Sequence, residues 1–316
     1  MTTDIVFYPH AIRTTAISGG AEGLILTLLE DVQPSNNFQD LTSWCAAQVG
    51  PQQVGSHMAS PDNRFSTPQV ATLLTALASG PYGICQDYSA SYVDTWYRAG
   101  ANLGMRVANA TSAHLRMRAQ ANTLLALESL EASEGGLAMA RCRLCHILNP
   151  QTGADPLVPT ADQALAGTAS GGRLHTLGPI TLNGTELKGC TQARLDLNVE
   201  YDQESSHGDG FLTWCSIYRI RPVITLRTRM SEYMATFGSR GTAFSSLTWY
   251  LRSKLAGGIN EADASAYHVK IVSSAAGAIK AHSLSGSKAE CLVTIELAQS
   301  AEDTAPFTIS VNQAIS

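Results

Sequence analysis

The sequence predicts a mainly β protein with flanking helices, an α+β chain dominated by strands. The first observation behind this is the run Ala193 to Tyr201. It alternates without a miss, with Ala193, Leu195, Leu197, Val199 and Tyr201 on one side and Arg194, Asp196, Asn198 and Glu200 on the other. A period of two reads as one strand with a dry face and a wet face. The second is another alternating run after a polar loop, Leu212, Trp214, Tyr218 and Ile220. The third follows Pro222 as Ile224, Leu226, Thr228 and Met230. Long half-buried strands joined by a polar loop are scaffold material, and no reaction centre stands beside them.

Taken in chain order, the first hundred residues are mixed. Leu24 to Leu29 fits a strand or a short buried helix, since a short apolar run does not separate the two. Residues 31 to 64 carry Pro34, Pro51 and Pro61 among polar residues and read mostly as loop around a short element at Phe38 to Ala47. A helix is predicted over 68–79. Thr67 suits the N-cap and Pro68 the first turn, Val70, Leu73, Leu74 and Leu77 follow at helical spacing, and Gly80-Pro81 ends the run.

Residues 107 to 133 favour helix by composition but alternate at Leu115, Met117 and Ala119 and again at Leu125 and Leu127, so a hairpin turning at Gly135-Gly136 is expected. The segment 150–174, with its prolines and glycines, is expected as a long loop. Leu174 to Leu182 reads as a strand entering an Asn183-Gly184 turn. Beyond the three alternating runs come a short helix at Ser231 to Phe237 and a strand through Leu247, Trp249 and Leu251. The closing strands are Ala266 to Val272, Glu290 to Leu297 and Phe307 to Val311. The expected organisation is an N-terminal elaboration, 1–106, packed on a β-rich core, 107–316. The alternative is one continuous domain, 1–316.

Composition narrows the function. Of 316 residues, 44% are hydrophobic, which supports a real core, and 15% are charged, below the ~25% of an average domain. The low charge points to surface hidden in an assembly. A net charge of −5 argues against tight binding of free nucleic acid. No run approaches the ~18 apolar residues of a membrane span, and no signal peptide is visible at Met1-Thr-Thr-Asp4. The seven scattered cysteines read as reduced thiols made in a cytoplasm.

Cys142-Arg-Leu-Cys145-His146 matches a haem c attachment pattern. A strand here would place the two thiols on opposite faces, where they cannot grip one planar ring. Zinc would need a second spaced pair beyond His175 or Cys190, and none is present. His207-Gly-Asp209-Gly reads as a turn between strands. Nucleophile, zinc-protease and phosphate-loop motifs are missing. The expectation is therefore no catalytic residue, no metal site and no cofactor. Arg219, Arg221, Arg227 and Arg229 form a basic cluster in sequence with three readings. They are a solvated row on an edge strand, partners for Asp196, Glu200 or Glu204 of a neighbouring copy, or a phosphate-binding surface.

The stretch Thr176 to Leu197, with Gly178-Pro179, Asn183-Gly184 and the alternating Ala193 to Leu197, resembles the strand–turn–strand opening of major tail (tail-tube) proteins of long-tailed bacteriophages. Asp209-Gly210, Ser216-Ile217 and Arg221 to Leu226 resemble that family's next strands. Ala289 to Leu297 and Pro306 to Ser310 resemble its ending, and Phe65 to Leu74 is similar to a segment of longer members. The resemblance implies a β-sandwich or barrel core with a flanking helix. It implies self-assembly into rings, six copies to a ring, stacked into a virion tail tube whose inner wall is built from hairpins.

DNA would pass through that lumen without specific binding, and the partners would be further copies and other tail proteins. The protein would be made in the host cytoplasm and carry no enzymatic activity. Asp196, Asn198 and Glu200 become candidates for a lumen or inter-subunit face, and the four arginines for inter-subunit contacts. Two alternatives stand beside this. One is another tail-tip or baseplate component or a β-sandwich binding module, which the scattered Trp44, Trp96, Trp214 and Trp249 do not favour. The other is a metal- or haem-binding protein using Cys142, Cys145 and His146.

Overall fold

The computed structural model describes residues 5–16, 22–26, 30–43, 52–78, 80, 83–88, 91–101, 114–119, 123–147, 157–163, 173–204, 212–229, 243–255, 257–273, 277–285, 290–297 and 307–316. They are mainly β and antiparallel, with one helix among them. The strands open with β1 (Ile5–Ala16), β2 (Glu22–Leu26), β3 (Glu30–Ser43) and β4 (Gln52–Thr67), followed by helix α1 (Val70–Leu77). Next come β5 (Cys85–Asp87), β6 (Ser91–Ala101), β7 (His114–Ala119), β8 (Thr123–Ser133), β9 (Met139–His146) and β10 (Leu157–Gln163). The middle of the chain gives β11 (His175–Leu182), β12 (Thr185–Glu186), β13 (Cys190–Asp196), β14 (Glu200–Glu204), β15 (Trp214–Arg219) and β16 (Val223–Thr228). The last are β17 (Ala243–Phe244), β18 (Leu247–Ser253), β19 (His268–Ser273), β20 (Gly277–Ser285), β21 (Glu290–Leu297) and β22 (Phe307–Gln313).

Four sheets result. The largest is ten-stranded and runs β17-β20-β21-β16-β13-β8-β9-β4-β3, with β5 also paired to β8. Two five-stranded sheets run β10-β7-β6-β1-β2 and β12-β11-β18-β19-β22, and β14 and β15 form a two-stranded sheet of their own. Ladders cross residue 106, because β4 pairs with β9, β5 with β8 and β6 with β7.

The core follows from the period of two. In β8 the side chains of Leu125, Leu127, Leu130 and Ala132 are buried, and across the ladder Leu144, Cys142 and Ala140 of β9 face the same way. Ala193 and Leu195 of β13, Ile224 and Leu226 of β16, and Val293 and Ile295 of β21 continue this dry face. Against it lie Ile180 and Leu182 of β11, Trp249 and Leu251 of β18, and Ile271 of β19, in one continuous apolar cluster. Helix α1 adds Val70, Leu73, Leu74 and Leu77 and touches β2, β5 and β22, so it joins three sheets. Its apolar stripe is the one the sequence predicts. The capping differs: Thr67 Oγ1 accepts the Gln69 N–H at 3.1 Å, and the helix proper begins at Val70. Pro68 therefore sits ahead of the helix, inside this short side-chain turn.

The hairpin at Gly135-Gly136, the Asn183-Gly184 turn and the closing strands lie where the sequence places them. Asn183 and Gly184 both have positive φ, 50° and 78°, the conformation that a two-residue hairpin turn requires. Asn183 Oδ1 also accepts the Ser245 N–H at 2.9 Å, which ties the turn to the start of β18.

Other expectations are corrected. Residues 31 to 64 are not mostly loop: Glu30–Ser43 and Gln52–Thr67 form the antiparallel pair of β3 and β4. Pro34 lies on β3, which ends its sheet among the described residues, a position where proline is tolerated. Pro61 precedes the stretch Asp62–Thr67 in which β4 also pairs with β9. The expected loop 150–174 contains β10, which also ends its sheet among the described residues, where its Pro159 is tolerated. The first hundred residues carry β1 and β6, a long antiparallel pair whose register shifts at Pro9/Ala11, a position that suits proline. The helix expected at Ser231 to Phe237 and the turn at His207 to Gly210 lie outside the described residues.

Gly178 marks the closest approach between β11 and β18. A Cβ there would stand 2.6 Å from the Tyr250 carbonyl oxygen, beside a register shift between Leu177 and Ile180. Gly178→Ala should therefore push the two strands apart and destabilise the fold by ~1–3 kcal/mol, read as a lowered midpoint in urea unfolding. Ala at the open Gly135 position, with no atom within 4 Å but φ at 74°, should cost only its backbone strain of ~1 kcal/mol.

Candidate assembly surface

The wet face of the ten-stranded sheet is built from the residues that alternate with its core. Arg64 on β4, Arg141 and Arg143 on β9, Glu131 on β8, and Arg194 and Asp196 on β13 occupy it, and Glu128 joins them at the bulge between Leu127 and Ser129. Charges of opposite sign meet sideways across the strands. Glu128 lies 3.5 Å from Arg64 and 3.8 Å from Arg141, and Arg194 lies 3.5 Å from Glu131. Arg194 also grips Asp196, with Nε 2.9 Å from both carboxylate oxygens and Nη2 2.7 Å from Oδ1. Its hydrogen bonds to Asp196 hold the Arg194 guanidinium above its ordinary range. These groups are half-exposed, so each pair contributes at most ~1 kcal/mol.

The run Ala193 to Tyr201 is not one strand. It leaves the ten-stranded sheet after Asp196 and re-forms at Glu200 in the two-stranded sheet. The break is at Asn198, whose φ is +45°, a left-handed conformation that Asn tolerates better than most residues. It is pinned from the side: Arg221 N–H donates to the Leu197 carbonyl at 2.9 Å, and Asn198 Nδ2 donates to the Arg221 carbonyl at 3.0 Å. Leu197 stays buried, so the dry–wet alternation survives the break.

Asp196, Asn198 and Glu200 consequently share one corner of the molecule. Asp196 and Asn198 line a cleft of about 300 Å³ with Arg64, Glu128, Arg141 and Arg194. Glu200 lies 3.6 Å from Arg221. The two acids thus have partners within their own chain, so the corner is a mixed-charge surface with no acidic patch. The four arginines do not gather. Arg219 and Arg221 precede β16 and Arg227 and Arg229 end it, and an extended strand separates its ends by ~3.3 Å per residue. Arg229 lies 3.4 Å from Glu134 at the β8–β9 turn. Arg219 and Arg227 form no ion pair among the described residues and are exposed.

The run Leu212, Trp214, Tyr218, Ile220 is only partly dry. Leu212 is 7% exposed, but Trp214 is 57% and Tyr218 74% exposed. The reason is the register of β14 with β15. Tyr201 faces Ile217 and Gln203 faces Cys215, while Glu200 faces Arg219, so Tyr218 is a bulge residue that faces no partner. Directly opposed residues share a face. Tyr201, Gln203, Cys215 and Ile217 therefore turn one way, and Trp214 and Ser216 the other, where Trp214 Nε1 donates to Ser216 Oγ at 3.3 Å. The inward face lies over β9, with the Arg143 guanidinium 4.5 Å from the centroid of the Tyr201 ring.

Cys142 and Cys145 stand on opposite faces of β9, as a strand requires. Cys142 opposes Leu127 in the core, and burial pushes its thiol well up, with Glu128 adding to the effect. Cys145 faces the β14–β15 hairpin, and His146 Nδ1 lies 3.1 Å from Thr123 Oγ1. Among the described residues no three His, Cys, Asp or Glu side chains gather to hold a metal ion, and no helix is long and apolar enough to cross a membrane. The residues that sequence reasoning missed are Arg64, Glu128, Arg141 and Arg194. Arg141-x-Arg143 alternating with Cys142 and Leu144 was the available signal. Comparison with protein-family models finds no match, and comparison with curated proteins finds none either.

Two histidines are buried behind this surface. His175 begins β11 with Nε2 3.2 Å from the Tyr267 carbonyl, and His268 Nδ1 accepts the Ser253 N–H at 2.9 Å. Burial is the main force lowering the pKa of His175, and His268 and Arg173 lower it further against two backbone hydrogen bonds. In the unfolded chain this imidazole takes a proton near pH ~6.5; in the fold it does so only at lower pH. Between those values the unfolded chain binds more protons, so its contribution is complete above pH ~6.5 and is lost as pH falls. Denaturant unfolding followed from pH 8 to pH 5 should show stability declining below pH ~6.5, with a shallower decline in His175→Asn.

Proposed function

We propose that this chain is a structural protein without enzymatic activity that assembles, six copies to a ring, into the stacked rings of a bacteriophage tail tube through which DNA passes. The observation that carries the reading is the β14–β15 hairpin. It is a two-stranded sheet whose outer edges pair with no other strand among the described residues, and two strands alone are marginally stable in water. Strands of the same hairpin from neighbouring copies would supply the missing partners, and a closed ring of them would leave no edge. The outward Trp214 and exposed Tyr218 are the apolar groups such a contact would cover. The alternating sheets and the family resemblance of Thr176 to Leu226 point the same way. The paired charges around Asp196 and Glu200 suit a wall that DNA passes without being held.

A second reading is favoured by the same two aromatics. A tail-tip component or β-sandwich binding module would use Trp214 and Tyr218 to stack against a ligand such as a glycan. Negative-stain electron microscopy of the purified chain separates the two. Rings or tubes are expected, and a chain that stays a monodisperse monomer at high concentration refutes the tube. The double variant Trp214→Lys, Tyr218→Lys should abolish rings while leaving stability within ~0.5 kcal/mol per site, as exposed positions do.

A further inference from the structure

The β14–β15 hairpin rests on β9 through two contacts that repeat at the same step. Arg143 and Cys145 are two residues apart on the wet face of β9, and Tyr201 and Cys215 lie on the inward face of the hairpin. Arg143 covers the Tyr201 ring, and beside that contact Cys145, on the Arg143 face of β9, and Cys215, on the Tyr201 face of the hairpin, are turned toward each other. Gln203 Nε2 also donates to the Cys215 sulfur, at 3.7 Å. Cys142 is on the far side of the strand, and Cys190 begins β13 at its other end. Cys145 and Cys215 are both free cysteines.

We propose that Cys145 and Cys215 are a redox-closing pair whose disulfide fastens the β14–β15 hairpin covalently to the ten-stranded sheet. Cys215 is the attacking thiol. It is half-buried and so within reach of a small reagent, whereas Cys145 is 1% exposed. The hydrogen bond from Cys145, supported by Gln203 and Arg143, outweighs burial and the nearby Asp202 and holds the Cys215 thiol below its ordinary range. That favours the thiolate, which is the nucleophile.

The co-reactant is a low-molecular-weight disulfide such as oxidised glutathione. Cys215 thiolate attacks one of its sulfurs, forms a mixed disulfide and releases one small thiolate. Cys145 then loses its proton to solvent and attacks the Cys215 sulfur, forming the internal bond and releasing the second small thiolate. The two protein thiols are oxidised by two electrons, and the small disulfide is reduced to two thiols. Closure brings the two sulfurs to ~2.05 Å. This inference concerns a single chain and goes beyond the assembly reading, since the bond forms or fails whether or not rings do.

Trypsin gives a direct test on the full chain. Cleavage at Arg143 separates Cys142 from Cys145, and Cys145 and Cys215 then lie on separate peptides, Leu144–Arg173 and Leu195–Arg219, each with one cysteine. After incubation with oxidised glutathione and non-reducing digestion, mass spectrometry should find these two peptides linked. The chain should have lost two titratable thiols, and dithiothreitol should restore both. Cys142→Ser should leave the link intact. Cys215→Ser should remove it and leave Cys145 unmodified, with circular dichroism confirming that the variant is folded. A glutathione adduct that stays on Cys215, Cys215 linked to other cysteines, or no thiol loss would overturn the proposal.

Discussion

The dry face of the ten-stranded sheet is the constraint on which the rest of the molecule depends, and β8 lies at its centre. β9 pairs along one edge of β8, and β5 and β13 share the other. Its inward residues Leu125, Leu127, Leu130 and Ala132 are all fully buried or nearly so. Because the strand period is two, slipping this register by one residue would turn Glu131 into the core and Leu130 into water. A buried unpaired carboxylate costs several kcal/mol even after relaxation, so the register has one stable solution. The turn at Gly135, with its φ of 74°, sets the same register from the end of the strand. The second five-stranded sheet and helix α1 then have one apolar surface to cover.

That choice also dictates the opposite face. Residues excluded from the core at every second position bring Arg64, Arg141 and Arg194 next to Glu128, Glu131 and Asp196, and the charges pair across strands. Their energetic weight is small; they give the face a fixed, nearly balanced pattern of charge. Where that face ends, Asn198 takes a left-handed conformation and the chain departs to make a separate hairpin. One side of that hairpin is held by Arg143 and Cys145 of β9, and the other presents Trp214. Among the described residues, neither outer edge of that hairpin pairs with a further strand.

Chemistry and scaffold are separated by the same geometry. The one motif with catalytic or cofactor overtones, Cys142 to His146, is divided between two faces of β9. Its thiols therefore have different surroundings: Cys142 is locked in apolar packing, and Cys145 is turned toward the β14–β15 hairpin. Sequence spacing alone made them neighbours, and strand geometry placed one in the core and the other against the hairpin.

Local periodicity carried the sequence reading wherever one face of an element is dry and the other wet. Helix α1, the β8–β9 hairpin, β13, β16, β18 and β21 were legible for that reason, and Asn183-Gly184 because few residues accept positive φ. The β3–β4 hairpin, β10 and β20 were not, because backbone ladders hold strands of polar or small residues as well as apolar ones, and such strands leave no pattern. The charged residues of the candidate surface were visible as wet positions, but their pairing was not. Arg194 with Glu131, Arg64 with Glu128 and Arg221 with Glu200 depend on which strands become neighbours and on the turn at Asn198. By itself the sequence determined which side of each strand faces water, since alternation is a local property of the chain. Only the tertiary structure decided which strands share a sheet, that Ala193 to Tyr201 is divided between two of them, and that Cys145 meets Cys215, because those outcomes are set by long-range packing of one dry face against another.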